Sequence, residues 1–170
     1  ADKVGNPVYR TGQYCAMFVS WCADRAGILN PVIPLHAYRP AGAAWFTARK
    51  RFVYGMKGIQ PGYIWYSSMS GLGRISHVGI VESVNRDGSI NTIEGNTAGD
   101  YNGDQRNGKM VARKVRYSAG SLGGYGIPDY SAAIIDIPTE LIPTPITNPV
   151  TKEEEHVTKV LISTTTPWGT

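Results

Sequence analysis

The sequence contains few cysteines, few charges and no long apolar run. These shortages argue against a disulfide, a cysteine metal site and a membrane-spanning helix. The two cysteines, Cys15 and Cys22, are seven positions apart, which on one helix is about 10.5 Å along the axis. Bridged Cα atoms lie within roughly 7 Å of each other, so we expect two free thiols rather than a disulfide, and no metal site with this spacing. No apolar run approaches the ~20 residues of a membrane-spanning helix. With 18% charged and 42% apolar residues in 170, the chain is typical of a globular domain with its own core.

The charge is unevenly distributed along the chain. Residues 1–130 contain 15 Lys and Arg against 8 Asp and Glu, a balance of +7, whereas residues 131–170 contain 2 against 5, a balance of −3. A basic body attracts anionic polymers by long-range steering, and nucleic acid, a membrane surface or a teichoic-acid-bearing cell wall would fit. The basic residues are scattered and no nucleic-acid motif is present, which also fits a role in solubility. We therefore predict neither nucleic acid nor membrane as a partner.

The first part of the chain predicts two helices. Apolar residues recur at helical spacing over residues 12–27, with Thr11 or Gly12 at the start and Gly27 as the stop. Three prolines then interrupt the pattern. Residues 41–52 predict the second helix, which ends in the cations RKR (49–51), where the macrodipole favours positive charge.

After residue 62 the pattern becomes that of strands. Residues 63–66, 77–84, 89–94 and 110–117 predict four strands, and Asp87-Gly88 indicates a hairpin turn between the second and the third. A loop rich in glycine, asparagine and aspartate covers residues 95–108. Helices followed by an antiparallel meander predict an α+β fold, with the N-terminal helices packed on one face of an antiparallel β-sheet.

The composition changes again near residue 131. Four prolines between residues 137 and 149 are typical of a semi-rigid linker, which we place at residues 131–150. Residues 151–170 are too few for a domain and are either a tail or the start of a truncated second module. Residues 1–130 are the main domain in this division. The first five residues have no signal-peptide character.

A cysteine stands where a reactive thiol would be expected. Cys15 falls in the first turn of the predicted helix, where the dipole and free N–H groups favour an anion and lower a thiol pKa. Cys22 lies two turns further on, without that help, and is predicted to be a small buried hydrophobe. Taken by itself, Cys15 fits the role of a buried hydrophobe about as well as that of a reactive thiol.

A histidine and a carboxylate interrupt the predicted strands. His77 begins one strand, and the Asp-Gly hairpin returns the next strand beside it, so that Glu94 can approach His77. A carboxylate there would fix the imidazole tautomer and stabilise the imidazolium. Each residue alone also fits a plainer role, a core histidine or a strand-end salt bridge, and His36 and His156 are predicted to lie at the surface. Together, Cys15, His77 and Glu94 supply the nucleophile, base and orienting group that hydrolysis by a thiolate needs.

The combination resembles the CHAP domain, the cysteine, histidine-dependent amidohydrolase/peptidase group. The helix segment YCAMFVSWC (14–22), the strand segment SHVGIV (76–81) and the triplet EGN (94–96) look like its cysteine, histidine and acid–amide motifs. The segment NGKMVARKVR (107–116) is similar to the strand that often follows. The resemblance covers roughly residues 8–130.

This resemblance implies a papain-like fold and hydrolysis of peptidoglycan, usually in phage lysins or bacterial wall autolysins. It implies Cys15 as the nucleophile, His77 as general base and acid, and Glu94 as the orienting group. Asn96 would be an alternative orienter or an amide donor near the site. The oxyanion would be held by the Cys15 backbone N–H and a side chain for which Gln13 is a candidate.

We expect no cofactor and no metal. Some relatives carry an acidic calcium loop before the cysteine, but the corresponding stretch here is NPVYRTG (6–12). The stretch DYNGD (100–104) mimics half a calcium loop, yet it lacks the glycine at the sixth place and the glutamate at the twelfth.

The predicted function is a peptidoglycan hydrolase, either an endopeptidase or an N-acetylmuramoyl-L-alanine amidase. We expect a phage endolysin that reaches the bacterial cell wall through a holin pore; a processed secreted autolysin would look the same. The nearest alternative enzyme, a wall peptidase with a second histidine as orienter, is disfavoured because no histidine follows His77 at a fitting distance. From other classes, a catalytically silent wall-binding module and a salt-sensitive DNA binder remain as alternatives. The scissile bond, host and oligomeric state are left open.

Overall fold

Two helices and six strands make up the part of the chain that the computed structural model describes, residues 12–68, 72–99 and 108–133. The helices are α1 (Cys15–Arg25) and α2 (Arg39–Ala48), and a short helical turn, Tyr130–Ala132, ends the described part. The strands are β1 (Phe52–Tyr54), β2 (Ile64–Ser67), β3 (His77–Val84), β4 (Ile90–Thr97), β5 (Met110–Arg116) and β6 (Gly124–Gly126). Neither described helix is long and apolar enough to cross a bilayer.

The strands form one antiparallel sheet in the order β1-β6-β2-β3-β4-β5. Helix α1 packs against β3 and β4, and α2 packs against β6 and β1. The α+β prediction, with helices on an antiparallel sheet, is therefore confirmed, and the arrangement is consistent with a papain-like fold.

Both faces of the sheet are buried at its centre, because alternate residues of a strand point to opposite faces. Tyr66 and Val78 join the helices in one apolar cluster with Val19 and Phe46. Trp65, next to Tyr66, belongs to a second cluster on the other face. The central strands β2, β3 and β4 contribute buried residues to the sheet, and β3 and β4 position the site described below.

The ends of both helices differ from the sequence prediction, and strand β4 continues to Thr97, three residues beyond its predicted end. Helix α1 begins at Cys15 itself rather than at Thr11 or Gly12. Helix α2 begins at Arg39, with Pro40 in its first turn, a position that suits proline because its missing N–H is not needed there. It ends at Ala48, so the predicted cationic helix end lies beyond it, and Lys50 has a left-handed φ of 56°.

The sequence did not predict strands β1 and β6, because each has only three residues. Strand β6 lies between β1 and β2, and two of its three residues are glycine. A Cβ at Gly124 would come within 2.0 Å of the Val53 carbonyl oxygen, and one at Gly126 within 2.3 Å of the Phe46 ring. Glycine is what allows β6 into this crowded position.

His36 was predicted at the surface, and that prediction is wrong. The side chain is buried, at 5% exposure. Its backbone N–H donates to Ser20 Oγ at 2.9 Å, and its Nδ1 lies 2.9 Å from the Pro34 carbonyl oxygen. Ser20 is on α1, so these hydrogen bonds tie the chain after the helix back onto it, which a reading of local sequence does not reveal. His156 lies outside the described residues.

Candidate active site

Cys15 is the first residue of α1, and its side chain is fully buried. The preceding residue, Tyr14, caps the helix without a side-chain hydrogen bond, and no acidic residue occupies the first turn. The N–H groups of that turn therefore keep their capacity to stabilise a negative charge nearby. Cys22 is a free thiol further along the same helix, only partly buried, and burial raises its pKa.

His77 and Glu94 meet across the hairpin formed by β3 and β4. Ile80 pairs with Ile93, so the same register sets Gly79 opposite Glu94, two residues from His77 on one face. The Glu94 side chain lies over Gly79, because a Cβ built there would be 2.6 Å from Glu94 Cγ. From this position Glu94 Oε2 accepts a hydrogen bond from His77 Nε2 at 2.7 Å. Both side chains are fully buried.

Glu94 is held as a carboxylate by two further residues. Arg116 of β5 donates from Nε to Oε1 at 2.7 Å and from Nη2 to Oε2 at 2.5 Å, and Thr92 Oγ1 donates to Oε1 at 2.5 Å. Burial alone would raise the pKa of Glu94, but the bonds from Arg116 and His77 outweigh it and lower the pKa to about 2. Glu94 is therefore ionised at any pH at which the protein works.

Cys15 and His77 shift each other's pKa in opposite directions. Burial raises the pKa of the Cys15 thiol, yet interaction with His77, and then with Arg39, more than offsets it and leaves that pKa below its ordinary value. Burial lowers the pKa of His77, but hydrogen bonding and charge from Cys15 and Glu94 raise it overall. A lowered thiol pKa beside a raised imidazole pKa favours a thiolate–imidazolium pair.

The tautomer of His77 follows from the surroundings of its two ring nitrogens. Nε2 faces the Glu94 carboxylate, which can only accept, so Nε2 carries a proton. Within the described residues Nδ1 is buried and has no hydrogen bond of ordinary geometry. The nitrogen left to exchange a proton with the Cys15 thiol is therefore Nδ1. This is the arrangement in which a carboxylate orients a histidine through one ring nitrogen while the other ring nitrogen acts as the base.

Two arginines at the site were missed by the sequence analysis. Arg39 Nη1 donates to Cys15 Sγ at 3.6 Å, and Arg116 forms the paired hydrogen bonds to Glu94. Arg116 also lies 5.3 Å from the centre of the Trp65 ring. The alternation of β5 could have indicated which side Arg116 faces. Arg39 follows a proline-broken loop with no local signal at all.

The other two predicted site residues, Asn96 and Gln13, differ in their surroundings: Asn96 is buried and Gln13 is exposed. Asn96 is buried in a bulge between β4 and β5, with a left-handed φ of 57°. Asparagine tolerates that conformation better than most residues, so the backbone alone gives a reason for Asn96. Gln13 is exposed and lies two residues before Cys15. Their predicted roles remain predictions.

Metal binding has no candidate in the described part of the chain, where no group of three or more His, Cys, Asp or Glu side chains could hold an ion. The DYNGD stretch (100–104) lies outside the described residues, as does the stretch before the cysteine except for Gly12.

A comparison with known families decides how this constellation is classified. A model of the CHAP domain matches residues 4–96, more than half of the chain. The chain belongs to the CHAP domain family. Among curated proteins and among solved structures, the searches find no match.

The CHAP match contains the thiol, imidazole and carboxylate described above. CHAP domains are typically cysteine- and histidine-dependent amidohydrolases or peptidases related to peptidoglycan. The match ends at residue 96, so Arg116, which holds the carboxylate in place, lies outside the matched segment.

Proposed function

We propose that this CHAP domain hydrolyses an amide bond of peptidoglycan, with Cys15 as nucleophile, His77 as general base and acid, and Glu94 as orienting group. The observation that carries the proposal is the buried line from the Cys15 thiol through His77 to Glu94, which α1, β3 and β4 each supply with one residue. Nucleophile, base and orienter in contact are the geometry of covalent acyl transfer.

The reaction begins with the thiolate. Its sulfur bonds to the amide carbonyl carbon, and the carbonyl oxygen becomes an oxyanion that the Cys15 backbone N–H stabilises at the start of α1. We propose Gln13 as the second donor to that oxyanion. His77 then gives its Nδ1 proton to the leaving nitrogen as the C–N bond breaks, which leaves a thioester on Cys15.

Water completes the cycle. His77, now neutral, takes a proton from water at Nδ1 while the water oxygen bonds to the thioester carbon. The C–S bond breaks, the carboxylic acid product leaves, and the thiolate–imidazolium pair is restored. Glu94 keeps the ring oriented and stabilises its charge throughout. Asn96, two residues further along β4, is proposed as an amide donor near the site.

The substrate that we propose is a bond of the stem peptide, the cross-bridge, or the link between muramic acid and the stem. The setting that we propose is a phage endolysin acting on the bacterial cell wall, with residues 131–150 as a linker and residues 151–170 as either a tail or the start of a wall-binding module. The basic balance of residues 1–130 supports attraction to an anionic wall. A wall-binding module without catalysis is the competing function.

Mass spectrometry of digested peptidoglycan tests the proposal. Purified walls are incubated with the parent protein, with Cys15→Ala and with Cys22→Ala, which removes the other thiol of the same helix. We expect new amino termini from the parent and from Cys22→Ala, none from Cys15→Ala, and the fragment masses identify the scissile bond. Equal fragments from Cys15→Ala would place the chemistry elsewhere. Wall binding without fragments from any of the three would favour the silent module.

A further inference from the structure

Arg39 is a buried cation that lacks a carboxylate partner among the described residues. Its exposure is 8%, and its Nε has no hydrogen-bond partner. Its Nη1 donates to Cys15 Sγ at 3.6 Å. A guanidinium cannot give up its proton in a protein, so its burial requires negative charge nearby or costs several kcal/mol.

The carboxylates that form ion pairs in the described residues are engaged elsewhere. Glu94 pairs with His77 and Arg116, Asp129 with Arg51, and Glu82 with Arg113. The group that Arg39 contacts and that can become an anion is the Cys15 thiol. Arg39 therefore fits a thiolate better than it fits a neutral thiol.

The backbone fixes this contact independently of the His77–Glu94 pair. Cys15 is the first residue of α1 and Arg39 is the first residue of α2. Pro40 in the first turn of α2 presets the φ of the helix start, and the two helices pack on each other. The sulfur is thus approached by a permanent cation from α2 and by a titratable one from β3.

We propose that Arg39 is a second cation for the Cys15 thiolate and, together with protonated His77, stabilises the negative sulfur before it attacks and again as the C–S bond breaks. The inference rests on the proposed use of Cys15 as nucleophile. After His77 has given its proton to the leaving nitrogen, the sulfur is bound in the thioester and carries no negative charge. In the next step water loses a proton to His77, its oxygen bonds to the thioester carbon, and the C–S electron pair returns to sulfur. Arg39 donates its hydrogen bond to that sulfur as the charge develops, which makes the thiolate a better leaving group.

The test is a thiolate titration that needs no peptidoglycan. In a Cys22→Ala background, the ultraviolet absorbance of the thiolate is followed against pH, with a protein lacking both thiols as the blank. Charges near the thiol come from His77, from Glu94 behind it and from Arg39, so Arg39 is varied both with His77 present and with His77 replaced. Arg39→Met should raise the midpoint by about one pH unit, since an opposite charge at this distance shifts a pKa by 1–3 units. At a pH below both midpoints, the thiolate fraction falls about tenfold.

Two matched variants separate charge from shape. Arg39→Lys should keep the midpoint close to that of the parent, because the cation remains. Arg49→Met, at an exposed arginine just beyond the end of α2, should leave it unchanged. In a His77→Gln background, removing Arg39 should raise the midpoint again, because Arg39 is then the remaining cation.

An unchanged midpoint in Arg39→Met, with circular dichroism and melting temperature like those of the parent, would overturn the inference. A midpoint shift in Arg39→Lys as large as the shift in Arg39→Met would overturn it as well. If Arg39→Met does not fold, the midpoint of Arg39→Lys is used to test the inference. Expected midpoints in a protein that cleaves no peptidoglycan would refute the proposed function and the role in thioester breakdown, while Arg39 would remain a cation that stabilises the Cys15 thiolate.

Discussion

The two described histidines, His77 and His36, are both buried and both contact α1, yet their pKa values are shifted in opposite directions. His77 has ionised or ionisable neighbours, Glu94 and Cys15, and its pKa is raised. His36 has neutral neighbours, the Ser20 hydroxyl and the Pro34 carbonyl, and burial lowers its pKa. Desolvation favours the neutral ring in both places. The difference between the two histidines therefore lies in the charge of their partners rather than in how deeply they are buried.

The largest predicted effect comes from removing the His77 ring. His77→Gln should lower the rate of muropeptide release by at least ~10³-fold, since loss of one member of a catalytic triad leaves only residual rate enhancement. His36→Gln should retain the rate within a few fold. The measurement is the initial rate of fragment release by the two variants beside the parent. A His36→Gln protein that folds but is as inactive as His77→Gln would erase the distinction.

The charge of Glu94 should matter almost as much as the ring. Glu94→Gln keeps the size of the side chain but removes the anion, so the pKa of His77 should fall and activity should drop about 10²–10⁴-fold. The pH–rate profile measures both effects, through its amplitude and through the position of its limbs. An unchanged profile would mean that Glu94 does not set the charge state of His77.

Removing the neutral network around His36 should change stability and leave the chemistry alone. Ser20→Ala deletes the hydroxyl that accepts from the His36 backbone N–H and donates to the His36 carbonyl oxygen. Leaving buried groups unpaired costs about 1–3 kcal/mol each. Urea denaturation should show a loss of that order, with the thiolate titration of Cys15 unaltered. A shifted titration would instead indicate that the two histidine sites communicate.

The smallest effect is a pair of opposite pH dependences. The folded-state pKa of His36 is lowered, so the unfolded chain binds more protons, and the stability that His36 contributes is lost as the pH falls through its unfolded value of ~6.5. The folded-state pKa of His77 is raised, so its contribution is present below that value and is lost as the pH rises through the folded pKa. Comparing His36→Gln and His77→Gln with the parent between about pH 5 and 8 should show slope changes of opposite sign. Changes of the same sign would contradict the assignment. Glu94, with a pKa of about 2, contributes a constant amount across this window.

The sequence predicted the elements that carry strong local patterns. The hairpin of β3 and β4 followed from the Asp87-Gly88 turn, and its register explains why Glu94 was expected near His77. Strands β1 and β6 were missed because three residues give no periodicity. Cys22 was expected to be a buried hydrophobe, but it is only partly buried.

The electrostatic environment of the site was less predictable than its reactive residues. Arg39 reaches Cys15 from 24 positions away and Arg116 reaches Glu94 from 22, contacts that depend on how α2 and β5 pack. The burial of His36 depends in the same way on the segment after α1 folding back onto that helix. A cysteine, a histidine and a carboxylate can be picked out along a chain, whereas the cations and hydroxyls that set their pKa values are identified by packing.

The most direct test of this account is a nuclear magnetic resonance titration of isotope-labelled histidine rings in the intact chain. His36→Gln and His77→Gln assign the two signals, and the third belongs to His156. We expect the midpoint of His77 to lie above the ordinary histidine value of ~6.5 and the midpoint of His36 to lie below it. A His36 midpoint equal to or above that of His77 would contradict this expectation.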